Sequence, residues 1–426
     1  MAKSLVLKNA TIIDGTGCEP LEGTTVVVVD NRISGVGTKV DYPAEASVVD
    51  LKGFTLMPGF IDCHVHLGAF VVDDPDWQFN AISFVPWFTS FLWDYFRSFA
   101  RRRRLAIENG LTSFRSAGDI HPHIIQLRDR IASGKLGGPR IFAPGPIFTA
   151  PGGHPAGTIY RRNRYIVEHA TRQVDDTARA RDEVRKLAEE GVDCIKAIYC
   201  DQNLMDLANR LPKLRLDVLA AMTDEAHLHN LRIMVHTGNP DDTRDAANAG
   251  VDSIEHGLLP GTESTEFPDD VVKMLVDRGT YYVPTLAIAW ANRKKFPELF
   301  NAAKRAVKHL HEAGVHIAAG TDSGTPGVVI GKGIHIEMAI MVEAGLSPME
   351  AIVAATRSPA ENLGRGSDLG TVEAGKLADI VVVADNPLED ISHTTNIRMV
   401  IKDGEVLVNN LKTEAGQGMT RNSPPV

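Results

Sequence analysis

Short β-branched runs open the chain at 5–13, 24–29 and 46–51, each broken off by Gly, Asp, Asn or Pro. The same texture returns at 377–383, 397–401 and 405–408, with a turn at Asp403-Gly404. Two β-rich arms of this kind predict one small β-sandwich domain assembled from both termini, residues 1–57 and 365–412. Between them, over 58–364, apolar strands alternate with amphipathic helical stretches. Eight strands are expected there, at 55–67, 111–117, 140–144, 193–198, 232–237, 253–256, 281–285 and 316–321. Helices are clearest at 176–190 and 217–229, where charges take one face and Ala, Val and Leu the other. Eight βα units predict an α/β fold of the (β/α)8 TIM-like barrel type. The tail 413–426 is polar, contains Pro and is expected to be disordered.

Composition narrows the class. Of 426 residues, 43% are apolar and 23% charged, which suits a globular chain. Lys and Arg number 45 against 54 Asp and Glu, a net charge of −9 that disfavours nucleic-acid partners. The four cysteines, Cys18, Cys63, Cys194 and Cys200, are too few and too scattered for a disulfide framework. A reducing, cytoplasmic setting is therefore expected. No stretch approaches the ~20 continuous apolar residues of a membrane helix, and the first residues lack a secretory pattern.

Polar residues with chemical potential stand where the expected strands run out, the face on which barrel enzymes build their sites. The first strand ends in His64-Val-His66, and alternation turns both imidazoles the same way. Lys196 lies within an otherwise apolar strand. It either snorkels to solvent or is buried, where a neutral amine could take up carbon dioxide as a carbamate. His236, His256 and Asp322 close the fifth, sixth and eighth strands. One such residue alone is more often structural, but six in register around one rim point to a metal site. The donor set of His, carboxylate and carbamate without Cys suits zinc or manganese.

These segments together resemble the amidohydrolase superfamily, and within it the imidazolonepropionase-like group that includes metal-dependent prolidases. The resemblance rests on PGFIDCHVHLG (58–68), Lys196 in DCIKA, His236 in MVHTG, His256 in SIEHG, Asp322 in AGTDSG and VEAGKLADIVVV (372–383). It implies a binuclear zinc centre. His64, His66 and Asp322 would hold one ion and His236 and His256 the other, with carboxylated Lys196 and a hydroxide bridging them. Asp322 would shuttle the proton from the attacking hydroxide to the leaving nitrogen. It also implies that His154, after Gly152-Gly153, contacts the substrate carboxylate. Tyr199 either donates a hydrogen bond at the same rim or packs.

Two departures bear on the substrate. Prolidase-like relatives commonly carry a Tyr two residues after the fifth-strand His, where this chain has Gly238. Residues 70–99 also hold 11 of the 26 aromatics, which predicts an apolar lid or a subunit interface. The leading expectation is a metal-dependent hydrolase of dipeptides (Xaa-Pro-like) or N-acyl amino acids. The rival reading is an amidohydrolase of aromatic or xenobiotic carbamates, ureas, anilides or lactones. A non-enzymatic scaffold is disfavoured, because it has no use for six inward polar groups that are costly to bury. The expected partner is a small-molecule substrate, with homo-oligomerisation compatible. Arg101–Arg104 and the helical histidines His227, His229, His309 and His311 read as surface, and His121 and His123 as rim or loop.

Overall fold

The computed structural model describes residues 3–68 and 99–411. The N-terminal run contains β1 (Ser4–Ile12), β2 (Leu21–Val29), β3 (Arg32–Gly37), β4 (Ser47–Asp50) and β5 (Thr55–Pro58). Next come β6 (Phe60–Val65), β7 (Leu111–Ser116), β8 (Arg140–Phe142), β9 (Ile147–Thr149) and β10 (Thr171–Gln173). They are followed by β11 (Cys194–Tyr199), β12 (Arg232–Thr237), β13 (Ser253–His256) and β14 (Tyr281–Val283). The chain finishes with β15 (Ile380–Val383), β16 (Ile397–Lys402) and β17 (Glu405–Asn409).

Both ends of the chain share one eight-stranded sheet, ordered β17-β16-β15-β5-β1-β2-β3 with β4 paired to β1. Its apolar residues, among them Leu7, Val26, Val28, Ile380, Val382 and Met399, form a cluster separate from the main core. The central strands are parallel throughout: β6-β7-β8 in one sheet and β10-β9-β11-β12-β13-β14 in another. Helices cover them, as parallel strands buried on both faces require. Thr177–Glu189 and Leu216–Leu228 match the two clearest expectations within two residues at either end.

Three expected strands differ in detail. The first divides at Gly59 into β5, which joins the terminal sheet, and β6, which joins β7. A Cβ at Gly59 would stand 2.2 Å from Thr112 Oγ1, so only glycine lets the chain change sheets there. The third divides at Gly145-Pro146 into β8 and β9, where proline offers no N–H to the ladder. The eighth is no continuous ladder. Tyr282 N bonds His316 O at 2.8 Å, Ala318 N bonds Tyr282 O at 3.0 Å, and Cys63 N bonds Ala319 O at 2.9 Å. Its neighbouring Ala319 N turns away to Ala354 O. The fold is thus mixed α/β, a TIM-like arrangement of parallel strands with a terminal sheet. No helix among the described residues is long and apolar enough to cross a membrane.

Candidate metal centre

β6 and the residues just beyond it deliver the two histidines of the H-x-H pair. His64 is fully buried; its Nδ1 lies 2.6 Å from Glu255 Oε2, and its Nε2 faces Asp322 Oδ1 at 3.8 Å. His66 Nδ1 lies 3.3 Å from the carbonyl of Gly118, and its Nε2 is 3.2 Å from the same Asp322 oxygen. In both rings one nitrogen is held by a protein acceptor, which leaves the other free to ligate. Ligand atoms of His64, His66 and Asp322 all lie within 4.8 Å of one another.

Asp322 is brought there by the segment after the eighth strand position. Asp62 accepts from Thr321 N at 3.0 Å, from Thr321 Oγ1 at 2.6 Å and from His64 N at 3.1 Å, binding this segment to β6. Asp322 N then bonds His64 O at 2.9 Å. Asp322 and His256 both sit in the left-handed backbone region, at φ 56° and 65°. Non-glycine residues held there are strained, and such strain collects at sites where side-chain direction matters. A Cβ at Gly324 would fall 1.9 Å from His66 O, so the loop after Asp322 must carry glycine to pass the site.

The second set of histidines adjoins the first. The His256 ring lies 4.7 Å from that of His64 and 4.4 Å from that of His236. His256 Nδ1 is 2.8 Å from Thr285 Oγ1, and Tyr282 OH donates to the His256 carbonyl at 2.7 Å. Burial, aided by the Lys196 and neighbouring histidine charges, holds His64, His236 and His256 well below the usual imidazole range. They are neutral at pH 7, the form that binds a cation.

Lys196 is buried on β11, and burial brings its amine down to about 8. Lys196 Nζ has no hydrogen-bond partner among the described residues, and Asp322 Oδ1 has only the ion-pair approach of His66 Nε2 at 3.2 Å. A buried amine left unpaired is costly; a divalent cation beside it would suit both the Asp322 oxygen and the amine once that amine is deprotonated or carboxylated. The donor set of imidazole nitrogens, a carboxylate and an amine able to become a carbamate fits divalent metal.

Of the two expected substrate contacts, one reaches the site. The His154 ring lies 5.7 Å from that of His236, its Nδ1 2.8 Å from Thr158 Oγ1, and burial lowers it to about 4. Tyr199 is not brought there. It stands three residues from Lys196, hence on the opposite strand face, and packs into the core against the helices. Its hydroxyl donates to Asp245 Oδ2 at 2.9 Å, and Lys213 Nζ lies 4.0 Å over its ring. The aromatic segment lies outside the described residues except for Phe99, which is buried. Arg102 departs from the expected solvated face: it is buried and donates to Leu67 O at 2.7 Å.

Sequence reasoning missed the groups beneath the histidines. Arg115 Nη2 donates to Glu255 Oε1 at 2.7 Å and its Nε to Cys63 O at 2.8 Å, while Ser253 Oγ donates to Glu255 Oε1 at 2.8 Å. All three residues are buried. The available signal was charge of opposite sign inside two short, otherwise uncharged strand segments, LTSFRS and SIEH.

The amidohydrolase family pattern matches residues 55–407. An ochratoxinase from Aspergillus niger is 26% identical over 429 aligned positions, covering 92% of this chain and 83% of that protein. The imidazolonepropionase of Haloarcula marismortui is 26% identical, covering 95% of this chain and 94% of its own length. A solved Xaa-Pro dipeptidase with methionine bound in its active site superposes with a TM-score of 0.79 at 28% identity, covering 96% of this chain and all of that one. The chain belongs to the amidohydrolase family and is a hydrolytic enzyme acting on carbon–nitrogen bonds.

Proposed function

We propose that this enzyme is a binuclear metal hydrolase of an amide bond, with dipeptides or N-acyl amino acids as its substrate class. Its scaffold is read as a closed (β/α)8 barrel over 58–364, with the terminal sheet contributed by 1–57 and 365–412. Closure is supported by the bonds from Tyr282 to His316 and from Cys63 to Ala319, which link the last strand position to both neighbours. The observation that carries the functional reading is the buried, unpartnered Lys196 Nζ among the neutral histidines His64, His236 and His256, beside the Asp322 carboxylate that His64 and His66 face.

His64, His66 and Asp322 would hold one ion and His236 and His256 the other, with Lys196 shared between them as its carbamate. The metal proposed is zinc. When bound, two divalent cations would supply an activated water and polarise the scissile carbonyl. Asp322 would accept a proton from that water and return it to the departing nitrogen. His154 sits beside His236, placed to receive a substrate carboxylate. Relatives whose names denote an Xaa-Pro dipeptidase and an ochratoxinase support an amide-type substrate. Gly238, where prolidase-like enzymes carry Tyr, favours the second reading, an amidohydrolase of aromatic or xenobiotic carbamates, ureas, anilides or lactones.

Metal analysis of the purified enzyme should give two zinc per chain. Hydrolysis should be measured across Xaa-Pro dipeptides, N-acyl amino acids and aryl carbamates. Cleavage of none of them by the zinc-loaded enzyme would refute the assignment.

A further inference from the structure

Gln202 follows β11 by three residues and is buried, yet neither Nε2 nor Oε1 has a hydrogen-bond partner among the described residues. Burying a carboxamide with both ends unpaired is unfavourable, and natural interiors seldom tolerate it without a purpose. Its location suggests one. A Cβ added to Gly238 would stand 2.0 Å from Gln202 Oε1 and 2.7 Å from Nε2. Gly238 is the first residue beyond β12, two after His236, and Gln202 follows the C-terminal end of the adjacent parallel strand β11. The Gln202 amide therefore fills the space in front of Gly238, at the strand ends that carry His236 and the candidate metal site. Any side chain at 238 would expel it.

We infer that Gln202 is the specificity-determining residue for the amino-acid half of the substrate, reading the scissile N–H and the carboxylate next to it. This rests on the hydrolase reading above and narrows its substrate class. A carboxamide presents one acceptor and one NH2 donor side by side. An N-acyl amino acid presents the complement, an N–H donor and a carboxylate acceptor separated by one carbon. Oε1 accepts from the N–H while Nε2 donates to the carboxylate, which satisfies both orphaned atoms and leaves the acyl carbonyl free to react. An Xaa-Pro bond has no N–H, so it leaves Oε1 buried and unpaired. Secondary amides of amino acids are accordingly preferred over the tertiary amides of proline. The glycine at 238 is the condition for this arrangement, and the missing phenol is replaced by a group of different reading.

The test uses the zinc-loaded enzyme and a matched pair, N-benzoylglycine and N-benzoyl-N-methylglycine, which differ only in the N–H. Turnover is measured as kcat/KM. Binding is measured by calorimetry with the corresponding non-hydrolysable phosphonamidates, one with N–H and one N-methylated. The wild type should favour the N–H member by about tenfold or more, the scale of one buried unpaired polar atom. Q202M, of similar volume and apolar, should lose that preference while folding at least as stably. G238A should lose it too, because its Cβ displaces the amide; this variant carries the test if Q202M fails to fold. Equal preference in wild type and Q202M, or no preference in the wild type, overturns the inference. Failure of the wild type to hydrolyse anything would refute the hydrolase reading alone, since the calorimetric arm still reads Gln202.

Discussion

His64 Nδ1 and Glu255 Oε2 stand 2.6 Å apart in the buried interior, and the other Glu255 oxygen is engaged by Arg115 at 2.7 Å. The carboxylate thereby fixes the imidazole with Nε2 turned toward Asp322, and Arg115 fixes the carboxylate. Outer partners of this kind orient a ligand and raise its basicity.

Replacing Glu255 separates the two tasks. E255Q keeps the shape and loses the charge, so zinc affinity should fall by roughly 10–100-fold with the fold retained. E255L removes the acceptor as well as the charge, leaving the buried Arg115 Nη2 with neither, and should cost about 3–5 kcal/mol in stability where E255Q, which keeps an acceptor oxygen, costs less. Zinc titration against a competing chelator, alongside urea melts of the metal-free protein, reads both effects. An E255Q variant binding zinc as tightly as wild type would show that Glu255 does not orient His64.

Lys196 gives a prediction of opposite sign for stability and function. Its amine is buried and unpaired, so K196M should stabilise the metal-free protein by about 1 kcal/mol. The same change removes the shared ligand, and zinc content should drop below two per chain with loss of hydrolysis. Thermal melts and elemental analysis of one preparation decide it. If K196M retained two zinc ions, the bridging role would be wrong.

The candidate ligands were legible because each is a polar residue at the point where an apolar strand stops. His64, His66, His236, His256 and Asp322 need only strand position and alternation to be assembled on paper. Glu255 and Arg115 were not, because their meaning lies in a pairing across 140 positions that neither local sequence announces. Gln202 lies in an irregular loop outside any periodic pattern, and its importance comes from an absent side chain at Gly238. Tyr199 was open to two readings that strand parity alone could have separated. The terminal sheet was readable from its β-branched runs, except β3 (Arg32–Gly37), whose two glycines and exposed arginine dilute the pattern.

Arg140 joins the central parallel strands to the terminal sheet. From β8 its Nη1 reaches Asp379 Oδ2 at 2.5 Å, and its Nη2 pairs with Asp403. Asp379 is buried and also accepts from Asp403 N at 2.8 Å. R140M should therefore cost about 3–5 kcal/mol by stranding a buried carboxylate. The double variant R140M/D379N should recover part of that loss. Equilibrium denaturation of the four proteins of this cycle gives the coupling, and an additive cycle would mean the pair contributes nothing.

His335 supplies a stability dependence on pH apart from the candidate metal ligands. It is buried, with Nδ1 3.0 Å from Thr394 Oγ1 and Nε2 3.1 Å from Asn109 O, and its ring meets Phe60 edge-on. Burial lowers it from 6.5 to about 4. Above pH 6.5 the folded and unfolded chains both hold it neutral, so it adds no slope. As pH falls from 6.5 toward 4 the unfolded chain binds a proton that the folded chain refuses, and stability is lost over that window. Two and a half units correspond to roughly 3 kcal/mol, with no further change once both states are protonated. Subtracting the pH–stability curve of H335Q from that of wild type should isolate this single-proton slope between pH 6.5 and 4. Parallel curves across that window would mean that His335 titrates alike in both states.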